Sequence, residues 1–293
     1  MSAPQAAGAL VKRTFETFAS FRDSVVSGAD PEAVHDMRVA ARRLRVALAG
    51  FEPYLPKGTN KLRKRVQRAA RRLGAVRDLD VASIHAESVA LEGEQLETRH
   101  ELVTQLIEMR EARLKRLKRC LERLPWTTME ERVRATADPE SNEDTPLIQA
   151  VAPKLVRRAY SVAMVSADSA TADPSPVRVH TLRKKLKNLR YTLEFVSDLY
   201  GSAKAPIKQL EGVQDLLGAR QDAISFNAIF GSLGKEKSLS KSARSMARNW
   251  AAEERAKVAE LTKRLPDAIS EIRGPAWVRL WQELDHAESP AAS

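Results

Sequence analysis

The hydrophobic positions of this chain follow a helical period, and one such pattern occurs twice. From Met37 to Phe51, and again from Leu182 to Val196, apolar residues recur every three or four positions, which places them on one face of an α-helix. The two sets are Met37, Ala41, Leu44, Leu48 and Phe51, and Leu182, Leu186, Leu189, Leu193 and Val196. The copies lie 145 residues apart, so the chain contains an internal duplication.

A second, basic stripe follows the same two helices, about a third of a turn from the apolar face. In each copy it consists of one histidine and three cationic residues. The members are His35, Arg38, Arg42 and Arg45 in the first copy and His180, Arg183, Lys187 and Arg190 in the second. Like charges at this spacing destabilise an isolated helix by roughly 0.2–0.5 kcal/mol per pair. The stripe is therefore typical of a face that an anion neutralises, whereas an ordinary solvated face mixes both signs.

The next helix is also duplicated, at an offset of 144 residues, and here the two copies differ in charge. The first copy places Lys61, Arg65, Arg68 and Arg72 beside the apolar line Leu62, Val66, Ala69, Leu73 and Val76. The second copy has Ala205, Gln209, Gly212 and Leu216 at the basic positions. We therefore predict that the first copy holds an anion more strongly. Asp78 and Asp222 follow a Leu-Gly pair in each copy, and we interpret them as orienting an arginine, not as catalytic.

The remaining pattern predicts further helices. Asp30-Pro31 and Ser175-Pro176 each supply an N-cap and a first-turn proline five residues before the motif histidine. We expect a helix over 82–124, broken near Gly93, a small-residue loop over 168–174, a short helix from Asp222 to Leu233, and helices over 240–265 and 277–286.

The domain organisation follows from these elements and from one polar, acidic stretch that contains two prolines. We predict a first helical half over 1–137, a linker over 138–146, a second half over 147–288 and a disordered tail over 289–293. Each half contains at least four helices, which favours two up-and-down bundles.

Composition supports an all-α class and concentrates the charge. Glycine (12 residues) and aromatic residues (5%) are sparse, and no alternating strand pattern occurs. The net charge is +11, and residues 34–77 contain 13 Lys/Arg against 2 Asp/Glu. The single Cys120 excludes an intramolecular disulfide and a thiolate zinc site. No signal peptide or bilayer-length apolar run is present, so we expect a soluble cytoplasmic protein without membrane contact.

The candidate site residues are all cationic or histidine side chains. A guanidinium binds phosphate oxygens bidentately, lysine adds a mobile point charge, and a protonated histidine donates from both ring nitrogens. The candidates for anion binding are His35, Arg38, Arg42, Arg45, Arg65, Arg68, Arg72, His180, Arg183, Lys187, Arg190 and Lys208. Neither motif helix has a second histidine or a carboxylate cluster at ligand spacing, so we expect no metal site and no cofactor.

The paired His-x-x-Arg helices, with Leu73-Gly74 and Asp78 repeated as Leu217-Gly218 and Asp222, resemble the CHAD family of histidine-containing α-helical domains. The resemblance spans about 8–285. It implies two helical bundles related by pseudo-two-fold symmetry around a basic central channel that binds inorganic polyphosphate. It also implies a non-enzymatic binding module, in some members associated with polyphosphate granules and with granule-associated proteins. The Glu-x-Glu-x-Lys signature of the triphosphatase partner of some members is absent, since Glu92-Gly93-Glu94 is followed by Gln95-Leu96.

Two alternative functions belong to other classes. Nucleic-acid binding would suit the basic charge, but the stripes contain almost no aromatic residues on which bases stack, and no recognition-helix motif is evident. A phosphoanhydride hydrolase would usually need carboxylates that hold Mg²⁺ or an activated nucleophile. The motif helices offer only Asp36, which is replaced by Thr181 in the second copy. We therefore rank both alternatives below polyphosphate binding.

Overall fold

The computed structural model describes residues 1–28, 32–137 and 145–288, and these ranges fold into α-helices. The all-α prediction is confirmed, because the only β-type pairing in the described ranges is an isolated bridge between Ser2 and Leu147. The helices are α1 (Ala3–Ser20), α2 (Arg22–Ser27), α3 (Ala33–Gly50), α4 (Thr59–Ser88), α5 (Glu94–Glu122), α6 (Trp126–Ala137), α7 (Ile148–Ala172), α8 (Pro176–Val196), α9 (Lys204–Leu233), α10 (Lys241–Lys263), α11 (Leu265–Glu271) and α12 (Pro275–Glu288).

The helix boundaries follow local sequence signals in most places. α8 begins at Pro176, as the Ser175-Pro176 pair predicts, although the Ser175 side chain makes no capping hydrogen bond. The corresponding start at Asp30-Pro31 lies outside the described residues, and α3 is described from Ala33. The helix predicted over 82–124 is broken near Gly93, as expected, and this glycine has φ = 56°, a left-handed value that favours glycine. The predicted start at residue 82 was wrong, because those first residues continue α4, which ends at Ser88.

Two further boundary predictions were wrong, and packing explains one of them. The segment 168–174 is not a loop, since α7 continues to Ala172. Its small residues Ala167 and Ala170 are fully buried, so here small side chains allow close helix packing and do not mark a turn. The helix ending at Leu233 is not a separate short element either, because α9 runs unbroken from Lys204 through Asp222.

The buried side chains form three cores, and the third one joins the sequence halves. The first core lies among α1, α3, α6 and the N-terminal part of α4, and the second lies among α7, α8, α11, α12 and the N-terminal part of α9. The third core joins the C-terminal parts of α4 and α9 to α5 and α10. The limits of the two halves stay a prediction, with most of the linker and the tail outside the described residues.

The two motif helices, α3 and α8, contact each other between the first two cores. Each buries the apolar face that the sequence predicts, with Leu44 and Leu189 fully inaccessible. Because the basic stripes lie on another face of each helix, the cationic side chains of both are brought to one region of the protein. None of the described helices combines the length and hydrophobicity that a bilayer crossing requires.

Candidate anion-binding site

Two adjoining cavities lie where the polar faces of α3, α4 and α8 meet. One has a volume of about 490 Å³ and is lined by residues of these three helices. The other, of about 260 Å³, lies between α3, α4, α8 and α9. Both cavities are lined by Arg42, Arg45, His180 and Arg183, so we treat them as one space and call it the basic cavity.

Six of the twelve candidate residues line the basic cavity, and five further cationic residues lie beside them. The six are Arg38, Arg42, Arg45, His180, Arg183 and Lys187. The five that sequence reasoning missed are Arg63, Arg71, Arg77, Lys184 and Lys185. The cavity thus collects cations from three helices, and of the lining residues only Asp78 and Asp222 are acidic.

The arginines at the centre of this cavity have unsatisfied donors. The Nε atoms of Arg38 and Arg183 are buried and have no hydrogen-bond partner among the described residues. Burial and the neighbouring Arg42 lower the pKa of Arg38, and the same two causes lower that of Arg183 to about 10. A buried donor without a partner costs free energy, so both side chains favour a ligand that carries acceptor oxygens.

Lys187 shows the strongest effect of this crowding. Burial, followed by the charges of Arg42, Arg183, Arg38 and Arg190, lowers the pKa of its ammonium group to about 6. In the absence of an anion the lysine is therefore mostly neutral at pH 7. An anion placed among these residues would oppose every one of the repulsive charges and would restore the proton.

The two motif histidines have different surroundings. His180 lines the basic cavity, and its Nδ1 lies 3.0 Å from Oε1 of Gln221. His35 lines neither part of the cavity, and its buried Nδ1 has no hydrogen-bond partner among the described residues. Burial is the largest cause that lowers the pKa of each, supplemented by Arg77 and Arg38 at His35 and by Lys184 and Arg183 at His180. Both rings therefore favour the neutral form until an anion arrives.

The remaining five candidates do not line the basic cavity. A helix turns by about 100° per residue, so the two sides of the apolar line of α4 can be told apart. The cavity-lining residues Arg63 and Arg71 lie on one side of that line, and the candidates Arg65, Arg68 and Arg72 lie on the other. Arg190 forms ion pairs with Glu194 (Nε to Oε1, 3.4 Å) and Glu211 (Nη1 to Oε1, 3.0 Å). Lys208 is exposed on α9. The residues chosen from the sequence on α3, and some of those on α8, therefore line the cavity, whereas those chosen on α4 lie on the flank that does not.

Asp78 and Asp222 lie together at one end of the basic cavity, near Arg38 and Arg183. Partial removal from water raises the pKa of Asp78, and Asp222 raises it further, while Arg38, Arg113 and Arg183 lower it. Asp78 also identifies which flank of α4 faces the basic cavity, because Asp78 and Gly74 both line that cavity. These are the positions that the duplication repeats as Gly218 and Asp222, so the repeat itself was the signal that could have corrected the choice of flank.

Other described groups have structural surroundings. Tyr191 is buried, with the guanidinium groups of Arg43 and Arg190 at 5.7 and 5.1 Å from the centre of its ring. The tryptophans at 126, 250 and 277 are buried, and Trp281 contacts Tyr160 and Trp277, as expected for packing residues. Within the described ranges, no group of three or more His, Cys, Asp or Glu side chains is placed to hold a metal ion.

The fold and this cavity define an all-α protein with a cation-lined cavity between two copies of one helical motif. The CHAD domain family model matches residues 9–230, and the chain therefore belongs to the CHAD domain family. The structure is similar to the crystal structure of the CHAD domain from the plant Ricinus communis, with a TM-score of 0.78, 22% sequence identity, and coverage of 94% of this chain and 92% of that one.

A second solved structure has the same fold. PptA from Streptomyces chartreusis aligns with a TM-score of 0.71 and 15% identity, over 92% of this chain and 100% of its own length. At these identities the two likenesses show the fold alone. No curated protein sequence matches this chain.

Proposed function

We propose that this protein binds inorganic polyphosphate in the basic cavity and does not hydrolyse it. The observation that carries the proposal is that the Nε atoms of Arg38 and Arg183 are buried without a hydrogen-bond partner in the described part of the chain, and that both residues lie in one cavity with Arg42, Arg45 and Lys187. Without a ligand, these five cationic side chains repel one another. A ligand with closely spaced negative charges would neutralise several of them at the same time.

The chemistry of the lining favours a phosphate chain over a single small anion. Arginine guanidinium groups on α3, α4 and α8 face the same space, and each matches two phosphate oxygens at a time. A sulfate or monophosphate ion would contact only the groups around one point of the cavity, whereas a linear chain would reach groups along its length. Such binding would also place the protein on polyphosphate granules and beside other granule-bound proteins.

The carboxylates of the cavity fit binding better than hydrolysis. Asp78 and Asp222 lie beside Arg38 and Arg183. The attraction between these opposite charges engages both carboxylates with cations of the protein. Hydrolysis of phosphoanhydrides usually relies on carboxylates that are available to metal ions or on an activated nucleophile. We therefore infer that the aspartates position the arginines.

A titration with polyphosphates of graded length tests this function. We expect affinity to rise with chain length and to fall steeply with salt, and to exceed that for sulfate or monophosphate at matched ionic strength. The double variant Arg38→Ala/Arg183→Ala should weaken binding by about a hundredfold or more, since hydrogen bonds to charged groups contribute about 1.5–3 kcal/mol each. The control Arg116→Ala/Arg255→Ala removes the same charge at exposed positions that line neither part of the cavity.

Three outcomes would contradict the proposal. Equal affinity for polyphosphate and sulfate would remove the case for a chain ligand. Displacement of bound polyphosphate by RNA or duplex DNA at equal phosphate concentration would favour nucleic-acid binding. Phosphate release above background with Mg²⁺ or Mn²⁺, abolished by Arg38→Ala/Arg183→Ala, would show that the protein is an enzyme.

A further inference from the structure

A mostly apolar pocket of about 220 Å³ opens beside the basic cavity, between the C-terminal end of α3 and the helices α7 and α8. Its walls include Phe51, Leu155, Ala159, Val162 and Phe195. We call this space the apolar pocket. It lies outside the set of cationic residues on which the proposed function rests, and polyphosphate, which has no apolar part, would leave it unfilled.

The apolar pocket and the basic cavity share part of their walls. Val46, Ala49, Lys185 and Asn188 line both of them. A ligand can therefore extend from one space into the other, with Lys185 at the boundary. The pair of spaces matches a molecule with one flat or apolar end and one polyanionic end.

The polar groups of the apolar pocket indicate what kind of ligand end it fits. The side-chain amide of Asn188 offers donors and an acceptor. Thr192 lines the same space, and its hydroxyl donates to the main-chain carbonyl oxygen of Asn188 at 2.9 Å. The partly exposed ring of Phe195 and the guanidinium group of Arg158 provide surfaces for stacking, and the buried Phe51 contributes to the apolar wall. A hydrocarbon chain would leave the amide unused, whereas a heteroaromatic base would use both the stacking surfaces and the amide.

Size agrees with a single base. Pockets for drug-sized ligands usually measure about 300–1,000 Å³, so a space of about 220 Å³ suits one ring system and not a long acyl chain. We propose that the apolar pocket binds the base of a nucleoside polyphosphate whose phosphates lie in the basic cavity near Arg42, Arg45 and Lys185. This inference rests on the proposed function, because it uses the same cationic residues for the phosphate groups.

Comparison of ATP and GTP with tripolyphosphate tests the inference by isothermal titration calorimetry without added divalent metal. Tripolyphosphate carries at least as much negative charge at the same pH, so electrostatics alone would not favour the nucleotides. We expect at least one of the two nucleotides to bind about tenfold more tightly than tripolyphosphate, which is the size of one base–aromatic contact. Neither nucleotide binding more tightly than tripolyphosphate would overturn the inference.

Two pocket variants and a matched control locate the extra affinity. Ala159→Phe should fill the apolar pocket and reduce the ratio of nucleotide to tripolyphosphate affinity to about one. Val162→Asp should act in the same direction at a side chain that is 40% exposed, where the substitution spares the core. Val165→Asp, on the same helix at 67% exposure and outside the pocket, should leave the ratio unchanged. Equal loss in the variants at 162 and 165 would contradict the assigned site.

The outcomes separate this inference from the proposed function. Binding of long polyphosphate and tripolyphosphate without any preference for ATP or GTP would refute the nucleotide inference and leave the polyphosphate proposal standing. Failure of all four ligands to bind would refute both proposals.

Discussion

Arg45 and Arg190 occupy equivalent positions in the duplicated motif helices, yet their surroundings are opposite. Burial lowers the pKa of Arg45, and the like charges of Arg42, Arg63 and Arg71 lower it further. Burial also opposes the charge of Arg190, but Glu194, Tyr191 and Glu211 outweigh it and raise the pKa. The position equivalent to Glu194 in the first copy is Ala49, so only the second copy neutralises its own arginine. The first arginine is therefore available to a ligand, and the second is engaged within the protein.

The helices that follow show the same difference. On the cavity-lining flank, α4 has Arg71 and Arg77 at the positions where α9 has Asp215 and Gln221. The first copy is therefore more basic than the second on this flank as well, although through residues other than those that the sequence analysis selected. The two copies share the helices and their apolar faces. In the second copy, however, carboxylates offset Arg190, and Asp215 and Gln221 stand at the positions of Arg71 and Arg77.

Among variants that compare regions of the molecule, the largest expected effect distinguishes the two flanks of α4. Arg63→Ala/Arg71→Ala should weaken polyphosphate binding by about thirtyfold or more, since both side chains line the basic cavity. Arg68→Ala/Arg72→Ala removes the same charge from the opposite flank and should change affinity by about twofold. Titrations at several salt concentrations measure both affinity and salt dependence. In the first variant only, the slope of log affinity against log salt should decrease by about one for each arginine that no longer binds a phosphate.

An equal loss in the two double variants would contradict the preference for the cavity-lining flank, because the opposite flank would contribute as much. It would support the sequence-based assignment of Arg65, Arg68 and Arg72 to the site. Circular dichroism of both variants verifies that neither loss comes from unfolding.

The choice between these flanks marks the limit of sequence reasoning. The period of three and four residues identifies the apolar line Leu62 to Val76 and thus the buried face of α4. It carries no information on which side of that line meets α3 and α8, because that depends on how whole helices cross. The pattern favours the flank without interleaved neutral residues, whereas the cavity flank contains Gln67, Ala70 and Gly74 among its cations.

The sequence located the cavity-lining side chains of α3 because one helix carries both the apolar and the basic pattern. In α3 the apolar line and the basic stripe lie on one continuous helix, so the angle between them follows from the helical period alone. Arg38, Arg42 and Arg45 accordingly line the basic cavity. Arg190 does not line the cavity. Its ion pair with Glu194, four positions further along α8, is visible in the sequence, whereas Glu211 lies 21 positions away on α9 and only folding brings it near.

A smaller effect is expected from the equivalent arginines of the two motif helices. Arg45→Ala should weaken polyphosphate binding by about tenfold, because the charges around its guanidinium group are repulsive and a bound anion relieves them. Arg190→Ala should weaken it by about twofold or less, because its charge is already offset. Isothermal titration calorimetry of both variants measures the difference. Equal losses would show that the ion pairs of Arg190 open when the ligand binds.

Neutralising the two carboxylates that pair with Arg190 tests the difference between Arg190 and Arg45 from the other side. Glu194→Gln/Glu211→Gln should free Arg190 and raise affinity several-fold. Glu253→Gln/Glu271→Gln removes the same charge at exposed positions that line neither part of the basic cavity, and serves as the control. An identical gain in both variants would indicate a general charge effect in place of a released arginine.

The pH dependence of binding should reflect Lys187, whose pKa is about 6 without a ligand. Bound polyphosphate favours the ammonium form and raises this pKa, so binding takes up a proton above pH 6. Affinity should therefore decrease as the pH rises from 6 towards the pKa of the bound state, by up to about tenfold per pH unit. Lys187→Met should flatten this dependence, most clearly above pH 7, where His180 contributes less. An unchanged pH profile in the variant would exclude Lys187 as the coupled group.

The smallest expected effect concerns stability, where Lys187 acts against the free protein. Its pKa is lowered in the folded state relative to about 10.4 in the unfolded chain, so between pH 6 and 10.4 the unfolded state binds more protons and stability rises with pH. Lys187→Met should raise the free energy of unfolding at pH 7 by about 1–2 kcal/mol, with little gain near pH 10. Urea unfolding at both pH values measures this, and exposed Lys184→Met is the control. A lower free energy of unfolding at pH 7 in the variant would contradict the prediction, because it would show that packing of the lysine stem outweighs the repulsion of its charge.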